Sequence, residues 1–290
     1  MTEFSKMSDT YTLSNGVKIP VVGFGTWQTP DGDVAKHSVE VAIEAGYRHI
    51  DTAAMYRNED SVGEGIKAGL AATGLKRDDL FVTTKLNNNA HSFDLVQKAI
   101  DESLTKLGLD HVDLYLIHWP NPASFRDSYP DSLKDTWRGM EQVYKDGKAR
   151  AIGISNFRQA HLDVIKADAT VEPMVNQIFL NPSDLQPAVT KMNEDNHILS
   201  EAYSPLGTGK LLGNTELAKV AAKYGKGVAQ VLLRWSLQHG FLPLAKSVHD
   251  DRIKQNTDLF DFSLSDADMK TLDGMHGVAG LATDPDTTNF

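Results

Sequence analysis

The chain contains no cysteine. That absence removes disulfides, thiolate zinc sites, iron–sulfur ligation and cysteine nucleophiles together, while leaving the compartment open. No window approaches 18 consecutive apolar residues and the first ten residues lack an apolar stretch, so neither a membrane span nor a secretory leader is expected, and the protein is expected to be soluble and cytoplasmic. The ten histidines never fall in a His-Glu-x-x-His arrangement or another ligand spacing, so no metal site is expected. Basic residues are in the minority. Against 39 Asp and Glu stand 29 Lys and Arg, a net charge of −10, which argues against a nucleic-acid partner and requires a local basic site for any anionic ligand. What is present is 290 residues of ordinary globular composition, 41% hydrophobic and 23% charged, enough to bury the core of one large domain.

Residues 11–20 are two short β-prone runs joined by Asn15-Gly16, a hairpin signal, and read as a cap ahead of the main fold. After it, apolar runs alternate with segments of 3.6-residue periodicity. The runs lie at 21–24, 47–51, 80–85, 112–117, 149–154, 174–178, 197–202 and 241–244, and helices are expected at 33–45, 61–73, 92–107, 132–146 and 228–238. Eight units of roughly 30 residues over 21–257 predict an α/β fold of the (β/α)8 type, a TIM barrel, with an irregular C-terminal tail. The whole of 1–290 is expected to be a single domain, with 275–290 forming a loop over the substrate site. Two Gly-rich segments are set aside. Gly63-Glu-Gly65-Ile-Lys-Ala68 has the letters of a dinucleotide fingerprint but follows polar residues instead of a strand, and Gly207-Thr-Gly209-Lys210-Leu211 lacks the first glycine and the hydroxyl residue of a P-loop.

In a barrel, chemistry belongs at the C-terminal ends of the strands. Asp51 ends the second run, Lys85 the third, His118 follows the fourth, and Tyr56 lies five residues past Asp51. Charge at the end of an apolar run is costly unless partners converge on it, and these strand ends are adjacent in a barrel. A lysine ammonium beside a tyrosine favours the phenolate and is expected to lower its pKa, while an aspartate compensates burial of the lysine. The tyrosine then serves as a general acid, and the histidine orients a substrate carbonyl and stabilises the forming alkoxide. The set suits carbonyl reduction. A different chemistry for Lys85 is a Schiff base with a carbonyl substrate, as in an aldolase.

Gly25-Thr26-Trp27, His49-Ile-Asp51-Thr-Ala53 with Tyr56, Thr84-Lys85, Ile117-His118-Trp119-Pro120, Gly153-Ile-Ser155-Asn156-Phe157, Asn176-Gln177 and Ala202-Tyr203-Ser204-Pro-Leu206-Gly207 resemble the aldo-keto reductase family, in its order and across nearly the whole chain. The resemblance implies a (β/α)8 barrel, NADPH (NADP+) bound without a Rossmann fold, and a catalytic tetrad of Asp51, Tyr56, Lys85 and His118. It further implies that Ser155, Asn156 and Gln177 hold the nicotinamide carboxamide, that Tyr203 stacks on the ring, and that Ser204, Leu206 and Gly207 line the pyrophosphate channel, with Gly25, Thr26 and Trp27 also at the cofactor. Lys246, Ser247 and Arg252 follow the last run, where barrels often hold phosphate, and are read as the site of an adenosine 2′-phosphate, with Gln255 at the adenine and Asn256 also at the cofactor.

The substrate pocket is expected from Trp27, Tyr56, Asn87, His118 and Trp119. Asn87 stands where the family often has an aromatic, which makes that wall more polar or roomier. Ala245 and Gln255 replace a frequent proline and glutamate. The expected partner is a small-molecule carbonyl compound, with no membrane and no nucleic acid, and the expected state is a monomer. Relatives that act as cofactor-binding regulatory subunits leave a non-catalytic role as the alternative.

Overall fold

The computed structural model describes residues 4–290; residues 1–3 of the expected domain lie outside the described residues. Strands β1 (Thr10–Thr12) and β2 (Lys18–Pro20) pair antiparallel, Tyr11 opposite Ile19. Gly16 takes φ 86° at the turn, which costs a residue without Cβ nothing. The hairpin is tied to the start of the barrel strands: Tyr11 Oη donates to Phe241 O (3.1 Å) and Asn15 Nδ2 to Arg150 O (3.0 Å). It therefore covers the N-terminal end, opposite the expected chemistry.

The barrel strands and helices follow in alternation: β3 (Gly23–Gly25), α1 (Asp33–Glu44), β4 (His49–Asp51), α2 (Glu59–Thr73), β5 (Phe81–Leu86), α3 (Phe93–Leu107), β6 (Val112–Ile117), α4 (Asp131–Lys145), β7 (Ala149–Ser155), α5 (Gln159–Lys166), β8 (Val175–Phe179), α6 (Pro187–Asp195), β9 (Leu199–Tyr203), α7 (Thr215–Lys223), α8 (Val228–Gln238), β10 (Leu242–Ala245), α9 (Asp250–Gln255) and α10 (Asp266–Asp273). Strands β3 to β10 close into an eight-stranded parallel barrel, β10 pairing with β3. Several strands begin one or two residues later than the apolar runs. Val21 and Val22, for example, are buried yet precede the first ladder bond of β3, because apolarity reports burial while strand bounds report pairing. The five expected helices are present. The five others are short or polar, and α7 has no counterpart in the expected alternation.

Register decides which side chains meet inside. Asp51 is opposite Thr83, Gln177 is opposite both Ser155 and Glu201, and Lys85 is opposite Leu116. With side chains alternating along each strand, His49 and Thr83 occupy one interior layer, and Asp51 and Lys85, two residues further along, the layer above. The C-terminal tail carries no helix or strand after α10, as expected. Its beginning packs with Leu217, Val220, Trp235 and Leu272 in a satellite apolar cluster. Its end is fastened to the loop after β6: Arg126 Nη2 donates to Thr288 O (2.8 Å), Asn121 Nδ2 to Asp286 Oδ1 (2.9 Å), and the Phe290 ring meets the Trp119 ring edge to face at 4.8 Å.

Candidate active site

Lys85 is fully buried near the end of β5 and its ammonium has four partners: Asp51 Oδ1 at 2.7 Å, Asp51 Oδ2 at 2.8 Å, Thr52 O at 2.9 Å and Tyr56 Oη at 3.1 Å. Tyr56 is half-buried on a 3₁₀ turn (Ala54–Tyr56) after β4, directly above the pair. The His118 ring lies edge to face against Tyr56, 5.7 Å between centroids. All four residues expected to carry chemistry therefore converge at the C-terminal end of β4 to β6. Thr26, just past the end of the neighbouring β3, braces Asp51, its backbone N–H and hydroxyl both donating to Asp51 O at 3.0 Å.

The electrostatics follow from burial. Burial works most strongly against the Lys85 ammonium, but the Asp51 carboxylate and the Tyr56 oxygen together outweigh it and hold the lysine pKa above its ordinary value. Burial followed by the Lys85 charge pushes His118 well below its ordinary value, so the imidazole is neutral, and its buried Nδ1 has no hydrogen-bond partner. Tyr56 departs from the expected direction. Burial raises its pKa, Asp51 adds to the rise, and Lys85 only offsets part of it. The lysine does pull as expected, but desolvation of the phenolate is larger. Tyr56 is thus a neutral phenol throughout the physiological range. It remains an adequate donor to an alkoxide, which is the stronger base.

A second set of side chains adjoins the first. Ser155 Oγ donates to Gln177 O (2.7 Å); Asn156 Nδ2 donates to Ser155 Oγ (3.1 Å) and His118 O (3.0 Å); Tyr203 Oη donates to Asn156 Oδ1 (2.8 Å). Gln177 Nε2 donates to Asp51 Oδ2 at 2.9 Å and Glu201 Oε2 at 2.8 Å. The four residues expected at the nicotinamide are thereby joined to the tetrad by direct hydrogen bonds. Asn156 and Ser204 adopt left-handed backbone (φ 63° and 50°), which turns the chain sharply at the ends of β7 and β9. Leu206 and Gly207 follow, Gly207 so close to the tail that a Cβ there would meet Ala279 Cβ at 2.6 Å.

The remaining expected residues lie at the rim. Lys246 follows β10 and donates to Gln28 O at 3.3 Å; Ser247 is buried and Arg252 and Gln255 are exposed on α9, with Asn256 buried just after it. Arg252 makes no ion pair among the described residues, while the Ser247 hydroxyl donates to His249 O at 3.4 Å and accepts from His249 N at 3.1 Å, so an unpaired cation lies just past β10 in an otherwise acidic molecule. Trp27 is 46% exposed, Asn87 half-buried and Trp119 buried against Phe290.

Glu201 and His49 were not singled out from the sequence. Both sit within the runs read as strands, and the signal was the one used for Lys85: a charged or polar side chain inside an apolar run. Glu201 is fully buried, and burial, then the Asp51 charge, pushes its carboxyl up to about 8. His49 is pushed down to about 3 by burial. Their 3.7 Å approach is therefore a contact between neutral groups at neutral pH, not an ion pair.

A closed barrel with a buried Lys–Asp pair under a phenol and a neutral imidazole defines a carbonyl oxidoreductase. Residues 21–276 match the aldo/keto reductase family, and the chain belongs to that family. It is 44% identical over 286 residues to glyoxal reductase of Bacillus subtilis, covering 99% of each chain, and 39% identical over 278 residues to the 9,11-endoperoxide prostaglandin H2 reductase of Trypanosoma cruzi, covering 95% of this chain and 94% of the other. Among solved structures, a Bombyx mori aldo-keto reductase in complex with NADP superimposes with a TM-score of 0.85 at 37% identity, covering 94% of both chains. An aldo/keto reductase from Brucella melitensis gives 0.84 at 41% identity, covering 92% of this chain and 98% of that one. Membership makes the protein an NADP-dependent oxidoreductase that reduces carbonyl groups.

Proposed function

We propose that the protein reduces small aldehydes and 1,2-dicarbonyl compounds with NADPH, with Tyr56 as general acid. The observation that carries this reading is the Lys85 ammonium held 3.1 Å from the Tyr56 hydroxyl and 2.7 Å from Asp51. Bound NADPH supplies a hydride to the substrate carbon. Tyr56 and the neutral His118 hydrogen-bond the carbonyl oxygen, and Tyr56 passes its proton to that oxygen as negative charge develops there. Lys85 stays protonated and stabilises the phenolate left behind; Asp51 keeps Lys85 in place. An ammonium locked in this way lacks the free lone pair a Schiff base requires, which weighs against the aldolase reading.

The residues present fit the cofactor. Gln177 Oε1 receives no donor among the described residues, Ser155, Asn156 and Tyr203 form a chain of hydrogen bonds ending on the Gln177 backbone carbonyl, and Lys246, Ser247 and Arg252 offer a cationic and hydroxyl site for the 2′-phosphate. A compact substrate is supported by the tail fastened over Trp119 and by the likeness to a glyoxal reductase, and a polar one by Asn87 in place of an aromatic wall. We further read the protein as a cytoplasmic monomer; among the described residues no helix is long and apolar enough to cross a membrane.

The reaction is tested by following NADPH oxidation over a panel of aldehydes, diketones, keto sugars and keto esters, with turnover expected for small dicarbonyls. Tyr56→Phe should lower kcat by about a hundred- to ten-thousand-fold while NADPH still quenches protein fluorescence. A variant with unchanged kcat would refute the acid assignment.

A further inference from the structure

A carboxyl group inside a barrel demands a reason, and Glu201 makes one side-chain hydrogen bond: Oε2 accepts from Gln177 Nε2 at 2.8 Å, while Oε1 is buried without a partner. The same Gln177 nitrogen donates its other proton to Asp51 Oδ2 at 2.9 Å. The amide orientation follows from chemistry. Asp51, bonded through both oxygens to Lys85, is an ionised carboxylate and can only accept, so the NH2 end of Gln177 must face it. With both N–H groups taken by acidic side chains, Oε1 is the one polar atom of Gln177's amide left over. The neighbouring amide is already engaged at both ends: Asn156 donates to Ser155 and His118 O and accepts from Tyr203, leaving one lone pair on its oxygen.

We propose that Glu201 is a positioning residue for cofactor binding that acts through Gln177. Taking the second N–H, it pins the amide at two points and presents Oε1 as the acceptor for the N–H2 of the nicotinamide carboxamide. This rests on the reading of Ser155, Asn156 and Gln177 as the carboxamide site. Without Glu201 the amide keeps a single anchor at Asp51 and a buried N–H without a partner, which favours rotation away from the binding geometry. Glu201 touches no reacting atom, so its loss should act on cofactor affinity and leave the saturated chemical step nearly unchanged.

The test compares NADPH with its 3-acetylpyridine analogue, in which a methyl ketone keeps the carbonyl oxygen and lacks the N–H2, by quenching of tryptophan fluorescence. Wild-type protein should bind NADPH about ten-fold more tightly than the analogue, and Glu201→Leu should shrink that gap to about two-fold, with kcat at saturating cofactor within about three-fold of wild type. Equal binding of the two cofactors by wild type would overturn the carboxamide reading and the proposal with it. An undiminished gap in Glu201→Leu would overturn the proposal alone. Glu201→Gln, isosteric with the protonated acid, keeps an acceptor for Gln177 and should bind NADPH within about two-fold of wild type. A ten-fold or greater loss there would overturn the proposal even if Glu201→Leu failed to fold.

Discussion

Lys85 and Asp51 are each costly inside the barrel and tolerable as a unit, since the ammonium binds both carboxylate oxygens and the backbone of Thr52. Lys85→Met removes the cation and leaves Asp51 buried without its partner, which should cost about 3–5 kcal/mol of stability. Pairing it with Asp51→Asn removes both charges and should restore most of that loss in urea denaturation. Equal destabilisation in the single and double variants would contradict the account. Glu201 gives a pH-dependent counterpart. Its carboxyl is pushed from an ordinary 4.5 up to about 8, so between those values the folded chain holds a proton that the unfolded chain has released. The stability it contributes is complete below about pH 4.5 and is lost as pH rises through about 8. Wild-type Tm should therefore fall between about pH 6 and about pH 9 more steeply than that of Glu201→Gln; parallel curves would exclude the assignment.

At the scale of elements, helix α2 explains the segment that imitates a dinucleotide fingerprint. Gly63 and Gly65 let the helix touch its neighbours: a Cβ on Gly63 would meet the backbone oxygen of Leu107, at the end of α3, at 2.4 Å, and one on Gly65 would meet Lys36 O, on α1, at 2.5 Å. Backbone atoms cannot step aside as a side-chain tip can. Gly63→Ala should destabilise by about 1–3 kcal/mol despite alanine's better helix propensity, read as a lower urea midpoint. A neutral or stabilising result would mean that α2 and α3 separate freely. The acidic first turn of α2, Glu59 and Asp60, fits the positive end of the helix and needs no phosphate there. The strand bounds were less legible than the strands themselves: apolar runs located all eight, yet the pairing that ends them depends on neighbours remote in sequence.

Across the whole molecule, an acidic surface focuses attention on the few cations near the barrel mouth. Arg252 is exposed, and Lys246 is partly buried, which lowers its pKa and so weakens its hold on its proton. If this group binds the 2′-phosphate, Arg252→Ala should raise the KM for NADPH about ten-fold or more while leaving the KM for NADH unchanged. Steady-state kinetics with both cofactors checks this, and an unchanged NADPH value would refute it. The tail closes the opposite side of the mouth. Arg158 pairs with Asp284, His161 with Asp286, and Phe290 rests on Trp119, so this part of the barrel mouth is bounded by a segment that the barrel pattern does not specify.

The sequence by itself determined the alternation that makes a closed barrel, and it picked out Asp51, Tyr56, Lys85 and His118, which the fold brings together. Both are local signals: apolar periodicity, and charged residues ending apolar runs. Only the tertiary structure decided that burial outweighs Lys85 at the Tyr56 phenol, that Asp51 and Glu201 both accept from the amide of Gln177, 126 positions from Asp51, and that the tail is tied to the loop after β6. A pKa or an amide orientation is set by every group packed around it. Those groups come from strands whose proximity exists only once the barrel has closed.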